Sequence, residues 1–133
     1  MKHTLINRLL AAGRLAALAA CAVALLTLAG CTKTVEVELL DKPMPVLSKV
    51  DPEVGVVNTV GANRVQIISI SDNSNILAER YADWFKKNGW SQISASANVN
   101  TGGFILGRNS SQTIIDYAAG TGTKIRITTP VGK

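Results

Sequence analysis

The spacing of apolar and polar positions divides this chain into three stretches. From Leu15 to Gly30 every residue is apolar or small except Thr27. From Thr32 to Asn63 no helical period appears, and Pro43, Pro45 and Pro52 with Gly55 and Gly61 interrupt the chain. An extended tether rising about 3 Å per residue is expected there. Inside it Val35, Val37 and Leu39 alternate with Glu36 and Glu38, the pattern of a half-buried strand. From Arg64 onward the periods of strand and helix follow one another, and this part is expected to be the folded domain, residues 64–133.

RVQIISI, residues 64–70, is rich in β-branched residues and is bounded by Gly61-Ala62-Asn63 and Ser71-Asp72-Asn73-Ser74-Asn75, which predicts a strand. The second cluster offers N-caps for a helix, although no Glu or Gln stands three residues after Ser74 or Asn75. Leu77, Tyr81, Trp84, Phe85 and Asn88 then recur at i, i+4, i+7, i+8 and i+11, giving one face an aromatic stripe, while Glu79, Arg80, Asp83, Lys86 and Lys87 occupy the rest. Gly89 suits the left-handed position after a helix, Lys86 and Lys87 complement the negative end of its dipole, and Trp90 can fold back on Phe85.

Four strand-like runs follow: SQISASANV, GFILGR, QTIIDYA and TKIRITT, separated by Asn100-Thr101-Gly102-Gly103, Asn109-Ser110-Ser111 and Gly120-Thr121-Gly122. Turns this short join antiparallel neighbours. The expected fold is therefore α+β, in the order β-α-β-β-β-β, with one helix packed on one face of an antiparallel sheet. Ile93, Ala95, Ala97 and Val99 would turn to the helix. The other face would present Gln92, Ser94, Ser96 and Asn98 from one strand, Asp116 from another, and Lys124 and Arg126 from the last. Small hydroxyl and amide side chains make such a face flat, and the basic pair could steer an acidic partner, although antiparallel sheets commonly leave one side to water.

The first stretch has a different logic. Lys2, Arg8 and Arg14 precede the apolar run with no acidic residue among them, the arrangement of an export signal. The run is shorter than the roughly 20 residues of a spanning helix and ends without a basic stop-transfer cluster. Its last residues, Leu28-Ala29-Gly30-Cys31, resemble the lipobox of bacterial lipoproteins. The resemblance implies a cleaved signal peptide over residues 1–30, diacylglycerol on the Cys31 thiol, and a protein held on a lipid bilayer in the cell envelope. Leu18-Ala19-Ala20-Cys21 fits the same pattern, but cleavage there leaves only Leu15 to Ala20 as apolar core and strands Ala22 to Ala29 on the mature chain. Thr32 after the cysteine, where Asp would be the alternative, resembles lipoproteins sorted to the periplasmic face of the outer membrane. Residues 31–63 would then be the lipidated N-terminus and tether. AERYADWFKKNGWSQISAS is similar to small exported bacterial domains, mostly described as uncharacterised lipoproteins, in which a helix ends at Gly-Trp and runs into a β-meander.

Removing the leader changes the charge and the chemistry. Three of the 14 basic residues lie in it, so the chain from Cys31 carries 11 against 9 acidic residues, a net charge of +2 over 103 residues. No basic run remains to suggest nucleic acid. With Cys21 in the leader and Cys31 acylated, no thiol is left for a disulfide. The one histidine, His3, is also in the leader, which removes imidazole from general-base work and from any His/Cys metal set, so no cofactor and no enzymatic activity are expected. Glu79 and Asp83 share a helix face at i, i+4, where a solvated pairing of Asp83 with Lys87 is the simpler account. Gly120-Thr121-Gly122-Thr123-Lys124 lacks the spacing of a phosphate loop and precedes a strand. The functions compatible with this inventory are binding of an unknown envelope protein or, alternatively, a glycan or peptidoglycan groove lined by Tyr81, Trp84, Phe85 and Trp90.

Overall fold

The computed structural model describes residues 33–72, 74–97 and 100–132. In chain order they form β1 (Thr34–Val35), β2 (Met44–Pro45), β3 (Glu53–Val54), β4 (Asn58–Val60), β5 (Asn63–Ile70), α1 (Leu77–Lys87), β6 (Ser91–Ala97), β7 (Thr101–Arg108), β8 (Ser111–Ala118) and β9 (Gly122–Pro130). The architecture is α+β and mainly sheet. β1 and β2 form a small antiparallel ladder. The others make one antiparallel sheet in the order β3-β5-β9-β8-β7-β6, with β4 beside the first half of β5 and β3 beside its second half. Tight turns dictate the β6 to β9 meander, whereas β5 reaches β9 across the helix and pairs with it from Asn63↔Pro130 to Ile70↔Thr123.

Alternation sets the two faces of the sheet. Gln66, Ile68 and Ile70 on β5, Thr113, Ile115 and Tyr117 on β8, and Thr123, Ile125, Ile127 and Thr129 on β9 are buried, while Asp116, Lys124 and Arg126 between them are exposed. The helix packs chiefly on β7 and β8 through Leu77, Ala78, Tyr81, Ala82 and Phe85. Trp84, expected on the stripe, is only half-buried at its rim. Asn88, also expected there, caps the helix instead: its amide donates to the Trp84 carbonyl at 2.7 Å and its side-chain oxygen accepts from Lys42 Nζ at 3.0 Å. The stop is as expected. Gly89 has φ +93°, the Trp90 N–H reaches back to the Phe85 carbonyl at 3.1 Å, and the two rings meet edge to face with centroids 5.3 Å apart. The start differs: Ile76 occupies the N-cap without a side-chain cap, and order comes from the Asp72 carboxylate, which accepts from the Ser74 N–H at 2.8 Å and from the Ser48 hydroxyl. Those two bonds hold the Asp72 carboxyl below its ordinary value of 3.8.

The tether expected over residues 31–63 is corrected from Thr34 onward, because residues 34–63 belong to the folded unit. Geometry requires it. A helix is roughly 10 Å wide and strands lie about 4.8 Å apart, so one helix covers about two strands of a sheet that is five long strands across. The inner face of β5 and β9 needs another cover. Val37 and Met44 enter the core, with Val35, Leu39, Leu40, Leu47 and Val54 packed around them. Two buried polar side chains fasten this cover. Gln66 donates to the Gly55 carbonyl at 2.9 Å and accepts from the Leu39 N–H at 3.1 Å. Tyr81 donates its phenol proton to the Pro45 carbonyl at 2.8 Å and accepts from the Leu47 N–H at 3.1 Å. Arg80 adds a bond to the Leu47 carbonyl at 3.2 Å.

Burial pushes the Tyr81 phenol above its ordinary value of 10.0, so the native state favours the neutral form. With the folded value above the unfolded one, this contribution to stability is complete below about pH 10 and is lost as the pH rises through the folded value. Tyr81→Phe should cost about 1–3 kcal/mol at neutral pH by leaving two backbone groups unpaired. The variant should also lose less additional stability between pH 9 and pH 11 than the parent. Urea unfolding across that range checks both, and an unchanged alkaline slope would refute the assignment.

Candidate binding face

The sheet face opposite the helix holds most of the residues expected there, in rows set by strand register. One row runs Ser69–Lys124–Asp116–Gly103–Ser96 across β5, β9, β8, β7 and β6. Lys124 and Asp116 are directly opposed in it, and the Asp116 carboxylate lies over Gly103. The next row runs Ile67–Arg126–Ile114–Ile105–Ser94. Arg126 thus stands between two isoleucines, against which its methylene stem can lie while its guanidinium meets solvent. Ser94, Ser96, Asp116, Lys124 and Arg126 are all exposed.

Two residues of β6 are placed on the faces opposite to those expected. Gln92 lies opposite the buried Leu106 and so points to the helix side of the sheet edge. A bulge between Gln92 and Ser94 causes the inversion, because one extra residue swaps the faces on either side of it. Ile93, expected to turn inward, instead sits on the open side over Gly107 and is 63% exposed. Asn98 and the lipidation candidate Cys31 lie outside the described residues.

The face is less polar than expected. Beside Ile67, Ile105 and Ile114, the β3–β4 edge adds Val56 and Val60, and β5 adds Val65, around a shallow hollow of about 370 Å³, with Val56 76% and Val60 60% exposed. Part of this was visible in the sequence. Ile67-Ile68 and Ile114-Ile115 are adjacent apolar pairs on strands, and adjacent side chains take opposite faces, so one of each pair had to leave the core.

The other candidates resolve by burial. Tyr81, Phe85 and Trp90 are core residues, which leaves Trp84 as the one accessible ring of the expected aromatic groove. It lines a hollow of about 270 Å³ with Leu47, Arg80, Asp83 and Lys87. Asp83 pairs with Lys86 at 3.2 Å, one residue short of the expected Lys87, and both side chains are largely solvated. Arg108 covers the Trp90 ring at 4.9 Å and approaches Asp41 at 3.4 Å, tying the N-terminal cover to β7. Among the described residues no His, Cys, Asp and Glu cluster could hold a metal ion, and no helix is long and apolar enough to cross a membrane. Comparison with protein-family models, with curated proteins and with solved structures finds no match to this chain.

Proposed function

We propose that this chain is a lipid-anchored, non-catalytic envelope protein whose domain binds another protein through the open face of its sheet. The observation that carries the binding reading is the row Ile67–Arg126–Ile114–Ile105, in which a cation is embedded among partly exposed isoleucines. A face meant only for water has no need of such a row, whereas protein interfaces combine apolar contact with Arg. The partner it suits offers an apolar surface with an acidic group placed against Arg126. The absence of histidine and thiol from the chain after Cys31 supports a role without catalysis.

Arg126→Glu should alter stability by no more than about 0.5 kcal/mol, since the side chain is exposed. A photo-crosslinker at residue 114 in intact cells should give a discrete adduct that Arg126→Glu abolishes, whereas one at Glu79 on the outer helix face should give none. Equal adducts from both positions, or one indifferent to Arg126→Glu, would return the sheet face to solvent.

Anchoring rests on Leu28-Ala29-Gly30-Cys31. Two or three acyl chains, at about 0.8 kcal/mol per buried methylene, hold a protein where a single chain is marginal. Mass spectrometry of the membrane fraction should find Cys31 acylated and N-terminal, and Cys31→Ser should release or misprocess the protein. A mature start at Cys21 would rule this site out.

A further inference from the structure

We propose that two copies of this chain associate edge to edge through β6, forming one antiparallel sheet across a two-fold axis. The two edges of the sheet are unequal. One is broken into β3 and β4, of two and three residues, too short to template another strand. The other is β6, seven residues long, whose hydrogen-bonding partner among the described residues is β7 alone. Long open edges normally carry lysine, proline or an inward charge that blocks further pairing. Ser91–Ala97 reads SQISASA and has none of these; its one irregularity is the bulge near Gln92, which leaves Ser94 to Ala97 regular.

The occupant follows from charge and size. When a strand pairs with a second copy of itself, every opposed pair is drawn from that strand, and like charges facing each other are what usually forbid it. In β6 no register can oppose two charges, and serine and alanine let a second backbone reach the ordinary strand spacing. Ile93 adds an exposed apolar side chain that the second copy would cover. An axis perpendicular to the sheet keeps both helices on one side and both open faces on the other. Strand pairing alone buries less than the area of a standard interface, so the dimer belongs to the weak, concentration-dependent class.

The test uses the full chain in detergent solution, with sedimentation equilibrium across the micromolar range. The parent should self-associate reversibly. Ser94→Lys combined with Ser96→Lys should weaken association at least about tenfold, because like charges then face each other across the axis. Ser94→Asp with Ser96→Asp should do the same, and mixing the two variants should restore association. All forms carry the same lipid-anchored N-terminus, so its own association is common to them, and unchanged circular dichroism would show that these exposed positions leave the fold intact. A monomeric parent, a lysine variant that associates like the parent, or a mixture that stays dissociated would each overturn the proposal.

Discussion

Phe85→Ala should lower the unfolding free energy by about 3–5 kcal/mol, a large share of the 5–15 kcal/mol typical of a domain. Phe85 is fully buried and makes edge-to-face contacts with Trp84 at 5.0 Å and Trp90 at 5.3 Å. Its removal opens a cavity where the helix stripe meets the ring that folds back from the C-terminal cap. Rigid close packing limits collapse into that space, and the aromatic contacts are lost with it. Trp84→Ala should cost clearly less, because Trp84 keeps contact with water and sits at the margin of the core. Phe85→Leu, which fills most of the volume, should stay folded if the alanine variant does not. Chemical denaturation of the three variants orders them, and parental stability in Phe85→Ala would mean that the stripe does not carry the packing of helix on sheet.

Gly122→Ala should be comparably damaging, at about 2–6 kcal/mol, combining backbone strain of about 1–3 kcal/mol with overpacking of about 1–3 kcal/mol. Gly122 begins β9 with φ +96°, and a Cβ there would drive into the carbonyl oxygen of Ile70 and lie 3.1 Å from the Asp72 nitrogen. Those atoms belong to the end of β5 and to the loop that orders the helix start, so neither can yield cheaply. Gly120 is the control. It has φ +92° and nothing within 4 Å of a built Cβ, so Gly120→Ala pays the backbone term alone. Thermal unfolding should separate the two variants, and equal losses would show that the clash is relieved without cost.

Local signals read correctly at β5, at the helix stop and along the meander. β5 spans Asn63–Ile70 where β-branched residues over 64–70 implied a strand, and the helix stops at Gly89, since only a residue without a Cβ takes that φ at no steric cost. The meander followed from turns too short to connect anything but antiparallel neighbours. On the candidate face, the exposed positions of Asp116, Lys124 and Arg126 followed from alternation alone.

The failures share a cause. Proline count made residues 34–63 look like a tether, yet what those residues do depends on how wide the sheet becomes once β5 crosses to β9, and pairing across dozens of residues leaves no periodic trace. Nothing in RVQIISI marks Gln66 for the core, yet it is buried because its amide meets Leu39 and Gly55, partners 27 and 11 residues away. The bulge after Gln92 arises in the pairing of β6 with β7 and moves Ile93 to the open face, though the strand taken alone shows a clean alternation. By itself, then, the sequence determined that β5, the helix with its stop at Gly89 and the β6 to β9 meander form, because C-caps, turn residues and side-chain alternation are short-range. Only the tertiary structure decided the sheet order, the second cover over β5 and β9, and the isoleucine row around Arg126, because each is set by burial among segments distant in the chain.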